Sequence, residues 1–242
     1  MKRLNAKQTS ANTAELVIYG EIGNDLWGDG VTAKDVLKSL RGLDDSVSSI
    51  RVMLNSIGGS VTEGLAIYDL LKREPRTISV EIDGIAASAA SVIALAGSTV
   101  GIAENAMMMI HNAWGIVMGN KDDMRETADL LEKFDERIVS IYRAKTDQDV
   151  ETIIAAMNVE TWFDAQEAVD WGLADAILSA SEAAAKIGAT FDLSRFNRVP
   201  KSLKYSDGMG ADIKEQMRQQ QDVALQLRRV EIDYERYPIV TT

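Results

Sequence analysis

Cysteine is absent from the chain and histidine occurs once, as His111. The first absence excludes disulfides, thiolate nucleophiles and cysteine-ligated zinc. The second excludes a histidine-rich metal site within one chain. Lys and Arg number 26 against 37 Asp and Glu, a formal net charge of −11, so no basic excess exists to displace counterions from a nucleic-acid backbone. Long apolar runs are missing as well: a stretch such as Val92 to Leu95 falls far short of the roughly 20 residues that cross a bilayer. Met1-Lys2-Arg3-Leu4-Asn5-Ala6-Lys7 is basic but leads into polar residues through Thr13, without the apolar centre of a signal peptide. There is no P-loop motif, and no turn carries a dinucleotide fingerprint. The expectation is a cytoplasmic protein with no metal, no cofactor, no nucleic-acid partner and no membrane contact.

The chain has 242 residues and a hydrophobic fraction of 46%, enough for one full domain with an appendage. Residues 1–14 are polar and expected to be flexible. Leu16 to Tyr19 reads as a buried strand, and Thr32 with Asp35 starts a helix carrying Val36, Leu37 and Leu40. Ile50 to Leu54 is the next strand and runs into Asn55-Ser56-Ile57-Gly58-Gly59. Ser60 and Glu63 then form a capping box for a helix that stops before Pro75. The cycle repeats with a strand over Thr77–Ile82, a turn over Gly84–Ala87 and a small-residue helix over Ser88–Ala96. Such spacing predicts right-handed crossovers and a mostly parallel sheet. Val100–Ala103, Met107–Ile110 and Trp114–Met118 are short strand candidates.

Met124, Leu131, Phe134, Ile138, Ile141 and Tyr142 recur at mostly helical spacing within 122–145. A helix from Asp123 to Ala144 would extend about 33 Å, long enough to protrude from its own domain. Thr146 and Asp149 start another helix, Asp164 and Glu167 cap a third, and Ala174–Leu178 is a final strand. From 181 to 242 the sequence predicts a linker followed by a polar helical tail.

Ser88 follows the Gly84 turn and opens a predicted helix, where a developing negative charge is favoured. A serine there also reads as an ordinary helix cap. His111, after Met107-Met108-Met109-Ile110, suits either a structural role or a general base working near neutrality. An acid must orient its ring. Glu160, Asp164 and Asp170 lie downstream. Asp164 looks committed to a cap and Asp170 to a solvated face, which leaves Glu160 best placed. The Gly58-Gly59 pair after a buried strand allows backbone N–H groups to approach a ligand, or else makes a tight connection.

Taken in order, these segments resemble the Clp-type serine peptidases. They are Asn55-Ser56-Ile57-Gly58-Gly59, Gly84-Ile85-Ala86-Ala87-Ser88-Ala89, Met109-Ile110-His111-Asn112 and the run from Glu160 to Asp175. The resemblance spans about residues 15–178 and points to the branch of phage and prophage head maturation proteases. It implies an α/β fold of stacked β-α-β units, ClpP- and crotonase-like, with a protruding handle helix over 122–145 and a C-terminal extension. Carried over by position, Ser88 resembles the nucleophile, His111 the base and Glu160 the triad acid. The N–H groups of Gly59 and Ala89 resemble the oxyanion hole, and Ile57 and Gly58 the substrate-binding turn. Three positions depart from the family pattern: Ile57 for proline, Ala89 for methionine and Glu160 for aspartate. The implied activity is ATP-independent serine endopeptidase action on peptide or protein substrates, such as scaffold or capsid segments, in the host cytoplasm or an assembling prohead. The implied assembly is a ring, heptameric and stacked face to face. Two rivals are an assembly protein of the same fold with vestigial catalysis, and an acyl-CoA hydratase or isomerase of the related crotonase fold.

Overall fold

The computed structural model describes residues 3–24, 30–178, 193 and 195–200. The chain divides into two compact units, Met1–Arg198 and Val199–Thr242, and every element below belongs to the first. The expected polar helix of the tail lies outside the described residues.

The sheet has eight strands among the described residues. In chain order they are β1 (Arg3–Gln8), β2 (Thr13–Tyr19), β3 (Ser49–Ser56), β4 (Thr77–Ala87), β5 (Thr99–Ala103), β6 (Met107–Ile110), β7 (Thr161–Phe163) and β8 (Ala176–Leu178). Its main path runs β1-β2-β3-β4-β5-β8, with β6 joined to β4 and β7 to β6. The β2/β3, β3/β4, β4/β5, β4/β6 and β5/β8 pairs are parallel, and β1/β2 and β6/β7 are antiparallel. Helices α1 (Ala33–Arg41), α2 (Val61–Lys72) and α3 (Ala89–Ala94) follow strands, as crossovers of a parallel sheet require. Then come α4 (Lys121–Lys145), α5 (Val150–Asn158) and α6 (Ala165–Asp170).

Alternation makes the core. In β2 and β3, Leu16, Ile18, Ile50, Val52 and Leu54 are fully buried while Glu15, Val17, Arg51 and Met53 between them are partly exposed. Toward its carboxyl end β3 becomes buried on both faces, at Leu54, Asn55 and Ser56. That end is where the polar residues gather. β3, β4 and β6 all finish there, the side of a parallel sheet on which ligands bind.

Several expectations need correction. Residues 3–8, expected to be loose, form an edge strand, because Arg3 to Gln8 pair in register with Tyr19 back to Ala14. The turn expected over Gly84–Ala87 is the second half of β4. The strand passes through Gly84 by a register shift, with Leu54 opposite Ile82 but Ser56 opposite Ala86, and then exchanges β5 for β6 as its neighbour. Asn55 bridges the irregularity, its Oδ1 accepting from the Ile85 N–H at 3.2 Å. Trp114–Met118 is no strand: Trp114, Ile116 and Met118 are exposed. Ser60 caps α2 through the Glu63 N–H, but Glu63 turns its carboxylate to the Ala33 N–H at 2.6 Å and caps α1 instead. Boxes do close at Thr32/Asp35 and Asp164/Glu167.

The long helix is α4, 25 residues capped by Asn120 and Asp123. Its second half packs into the protomer through Ile138, Val139 and Tyr142, whereas Met124 and Leu130 in the first half are exposed. Ile138 therefore belongs to the protomer's own core. Among the described residues no helix is long and apolar enough to cross a membrane.

Candidate active site

Ser88 stands between the end of β4 and the first turn of α3, with φ 57° and ψ −127°. A side chain with Cβ rarely takes a positive φ, so the turn is strained. Its hydroxyl makes no capping bond to α3. Instead Ser88 Oγ lies 2.7 Å from His111 Nε2. The ordinary cap reading of this serine is thereby set aside on geometry.

The strain is held by bonds on both sides of the residue. The Ser88 N–H donates to the Met109 carbonyl at 2.9 Å, tying the turn to β6. The Ser88 carbonyl accepts from the Ser91 N–H at 2.9 Å and the Ser91 hydroxyl at 2.6 Å. With its only proton so used, Ser91 Oγ accepts from the Tyr142 hydroxyl at 2.7 Å. Tyr142 is fully buried, and burial pushes its hydroxyl far above the ordinary tyrosine range. Sequence reasoning placed Tyr142 on the apolar stripe of α4 and passed over Ser91. No local signal marks a bond spanning 51 residues.

His111 follows β6, and its ring packs edge-on against Phe196 at 5.6 Å. Burial is the main influence on the imidazole and lowers its pKa below the usual 6.5. Glu160 opposes that shift and Arg195 adds to it. The loop after His111 is fastened to α4, since Asp135 Oδ1 accepts from the Ala113 N–H at 2.6 Å.

The glycine turn meets the serine turn from below. At Gly58, φ is +82°, and a Cβ would lie 2.5 Å from the Ala87 carbonyl and 2.8 Å from the Ala89 nitrogen. Only glycine fits there. The Gly58 N–H donates to Ser56 Oγ at 3.1 Å and its carbonyl accepts from the Ile22 N–H at 2.8 Å. Ile57 is buried. Gly58 thus has both backbone groups bonded within the protein, and its turn buttresses the serine. Gly59 differs. Its bridge to Ile22 runs through the Gly58 carbonyl and the Ser60 N–H, which turns Gly59's own N–H to the opposite side. Gly59, Ser88 and His111 line one groove of ≈ 340 Å³, with Val61, Phe134 and Phe196 among its walls. Ala89 opens α3, where the first N–H groups lack helical partners.

Glu160 is near His111, but no hydrogen bond between them exists among the described residues. It sits in the turn before β7 with φ 54°. Its Oε1 accepts from the Arg198 N–H at 2.6 Å and from Trp162 Nε1 at 3.3 Å. Its Oε2 accepts from the Asn197 N–H at 2.8 Å and from Asn197 Nδ2 at 3.5 Å. Asp164 caps α6, and Asp170 accepts from Gln166 on an exposed face. No cluster of three or more metal-ligating side chains occurs among the described residues.

Residues 11–181 match the Clp protease family. The chain belongs to that family. It is 34% identical over 168 residues to an ATP-dependent Clp protease proteolytic subunit of Ligilactobacillus salivarius, covering 67% of this chain and 82% of that protein. Proteolytic subunit 1 of Leifsonia xyli subsp. xyli is 35% identical over 150 residues, 61% of this chain and 76% of the relative. Among solved structures, a point mutant of ClpP1 from Listeria monocytogenes superposes with a TM-score of 0.61 at 29% identity, covering 70% of this chain and 93% of that one. The protein is thus a ClpP-like serine-type endopeptidase with a ClpP-type mixed α/β fold. These relatives also correct the expected branch. They are bacterial Clp proteolytic subunits, which overturns assignment to phage head maturation and, with it, the prohead and capsid setting.

Proposed function

We propose that this Clp protease hydrolyses peptide bonds with Ser88 as nucleophile, His111 as general base and Glu160 as the acid that orients the imidazole. The carrying observation is the 2.7 Å contact between Ser88 Oγ and His111 Nε2, on a strained turn that holds the hydroxyl at the groove. For Nε2 to accept the serine proton, the ring proton resides on Nδ1. His111 takes the proton as Ser88 attacks the carbonyl carbon. The N–H groups of Gly59 and Ala89 stabilise the oxyanion, and His111 returns the proton to the departing amine. Water then repeats the sequence on the acyl-enzyme, with His111 as base again.

The relatives are named proteolytic subunits of an ATP-dependent protease. We assign this chain the peptidase part, since its sequence carries no P-loop with which to bind nucleotide phosphates. Rings of the family kind, heptameric and stacked through α4, fit the apolar surface that Met124 and Leu130 leave uncovered. One observation favours a catalytically silent member: among the described residues, the hydrogen bonds of the Glu160 carboxylate go to residues other than His111.

A fluorophosphonate probe separates the two readings. An active triad labels at Ser88, and Ser88→Ala loses both the label and peptide hydrolysis while its assembly mass stays unchanged. A wild-type protein that fails to label at all, or a Ser88→Ala variant that still cleaves peptide, refutes the nucleophile assignment.

A further inference from the structure

The strongest unexplained feature of the site is a piece of the chain's own backbone. Arg195 and Phe196 form part of the wall of the groove, and nothing in the peptidase chemistry needs them there. Phe196 is buried with its ring edge-on to both His111, at 5.6 Å, and Trp162, at 5.8 Å. The Asn197 and Arg198 N–H groups hold opposite oxygens of Glu160. A carboxylate has about four lone-pair sites. Trp162 Nε1, the two N–H groups and Asn197 Nδ2 take all of them, leaving none for the His111 ring proton. We infer that the Arg195–Arg198 segment is an autoinhibitory clamp: it walls the groove beside Ser88 and holds Glu160 in a state that cannot orient His111. This rests on the triad reading above.

The clamp is made to come off. Arg195 pairs with Glu21 at 2.6 Å through Nη1, yet its Nε and Nη2 are buried without an acceptor among the described residues. Leaving guanidinium donors unpaired opposes the closed state. Asn197 and Arg198 keep their side chains exposed, so only Phe196 anchors the segment by burial. Beside it, the apolar pocket formed by Leu65, Val92, Ile138 and Tyr142 next to Ser88 has only ≈ 20 Å³ of space, room for about one water and no side chain. A polypeptide substrate lying along the Phe196 wall would displace the segment, and its side chain would enter that pocket only once it opened. Release frees the Glu160 carboxylate to accept from His111 Nδ1.

The test uses the full-length protein carrying Arg195→Ala and Phe196→Ala together. The rate of fluorophosphonate labelling at Ser88 should rise roughly tenfold if the closed form holds about nine-tenths of the protein. Because the chain has one histidine, a 13C-histidine sample reports the titration of His111 alone. Its midpoint should move up in the variant, since the ring regains water and Arg195 no longer opposes its charge. Labelling that is equal or slower in the variant overturns the clamp, and leaves the nucleophile assignment standing as long as Ser88 labels. Should neither protein label, that assignment fails, and the titration alone then decides: an upward shift supports closure by the segment and an unchanged midpoint overturns it.

Discussion

The bracing of Ser88 by Ser91 and Tyr142 makes an unequal pair of mutants. Tyr142→Phe removes one hydroxyl from a site whose shape is otherwise kept. Ser91 Oγ loses a donor, but still gives its own proton to the Ser88 carbonyl at 2.6 Å. The loss should be about 1 kcal/mol, that of one ordinary hydrogen bond. Ser91→Ala does more harm. It strips one of the two bonds from the Ser88 carbonyl and strands the Tyr142 hydroxyl, which is 1% exposed and has no other partner among the described residues. Desolvating that group without a partner adds to the lost bond, for about 2–3 kcal/mol in total.

The double variant decides between these physical accounts. With both hydroxyls gone no group is orphaned, so its destabilisation should not exceed that of Ser91→Ala alone, a coupling of about 1 kcal/mol. Thermal midpoints at fixed protein concentration are the assay. For a chain of this size each 1 kcal/mol corresponds to roughly 2–4 °C, so Ser91→Ala should fall by roughly 5–10 °C and the double variant by no more. Fluorophosphonate labelling should slow in Ser91→Ala, because the carbonyl that fixes ψ of the strained serine has lost half its support. Midpoint losses that simply add, or a Tyr142→Phe variant worse than Ser91→Ala, would refute the network as drawn.

Burial holds His111 below the ordinary histidine value, so labelling of Ser88 should be flat down to about pH 6.5 and fall only at more acid pH, where imidazolium can no longer accept the serine proton. The unfolded chain binds that proton at about pH 6.5 while the folded one does not, so stability should also fall as pH drops below this point; an acid limb centred at or above 6.5 would contradict the burial argument. For assembly, Met124→Asp with Leu130→Asp changes residues that are 51% and 50% exposed in the protomer, and should lower the mass measured in solution without lowering helix content. An unchanged mass would remove α4 from the ring contact.

What the sequence showed and what it hid divide along physical lines. Ser88 and His111 are 23 residues apart; the strand before His111 is readable, but the half of β4 that leads to Ser88 reads as a turn, and only the pairing of Ala87 with Met109 brings the two together. Thr32/Asp35 and Asp164/Glu167 were readable because capping is a contact over three residues. Glu63 resembles the same motif and fails it, since the Ala33 N–H, 30 residues away, competes for the carboxylate. β1 could not be read from its own residues, which are mainly polar; its stability comes from the ladder to β2. The strand β7 spans three residues, too few for any period to show. Nor could a sequence reveal that backbone N–H groups 37 and 38 residues past Glu160 fill its carboxylate, because N–H groups carry no residue signature.

Among the described residues, the only two non-glycine positions with positive φ are Ser88 and Glu160. Strain of this kind persists only where surrounding structure over-determines it, and the two surroundings differ in kind. Ser88 is held by β6 through Met109 and by α3 and α4 through Ser91 and Tyr142, all within the buried core. Glu160 is itself buried, but its carboxylate is held mainly by Asn197 and Arg198, whose side chains are exposed. Releasing Ser88 would require disrupting the sheet and the base of α4. Releasing Glu160 requires only that one short segment leave the groove. On the proposed triad, Ser88 and His111 are therefore preorganised at 2.7 Å with the site closed, and Glu160 is the adjustable member. The proposed clamp, acting on Glu160 alone, would leave the strained serine turn intact through each opening, so the site could close and reopen without refolding any part of the core.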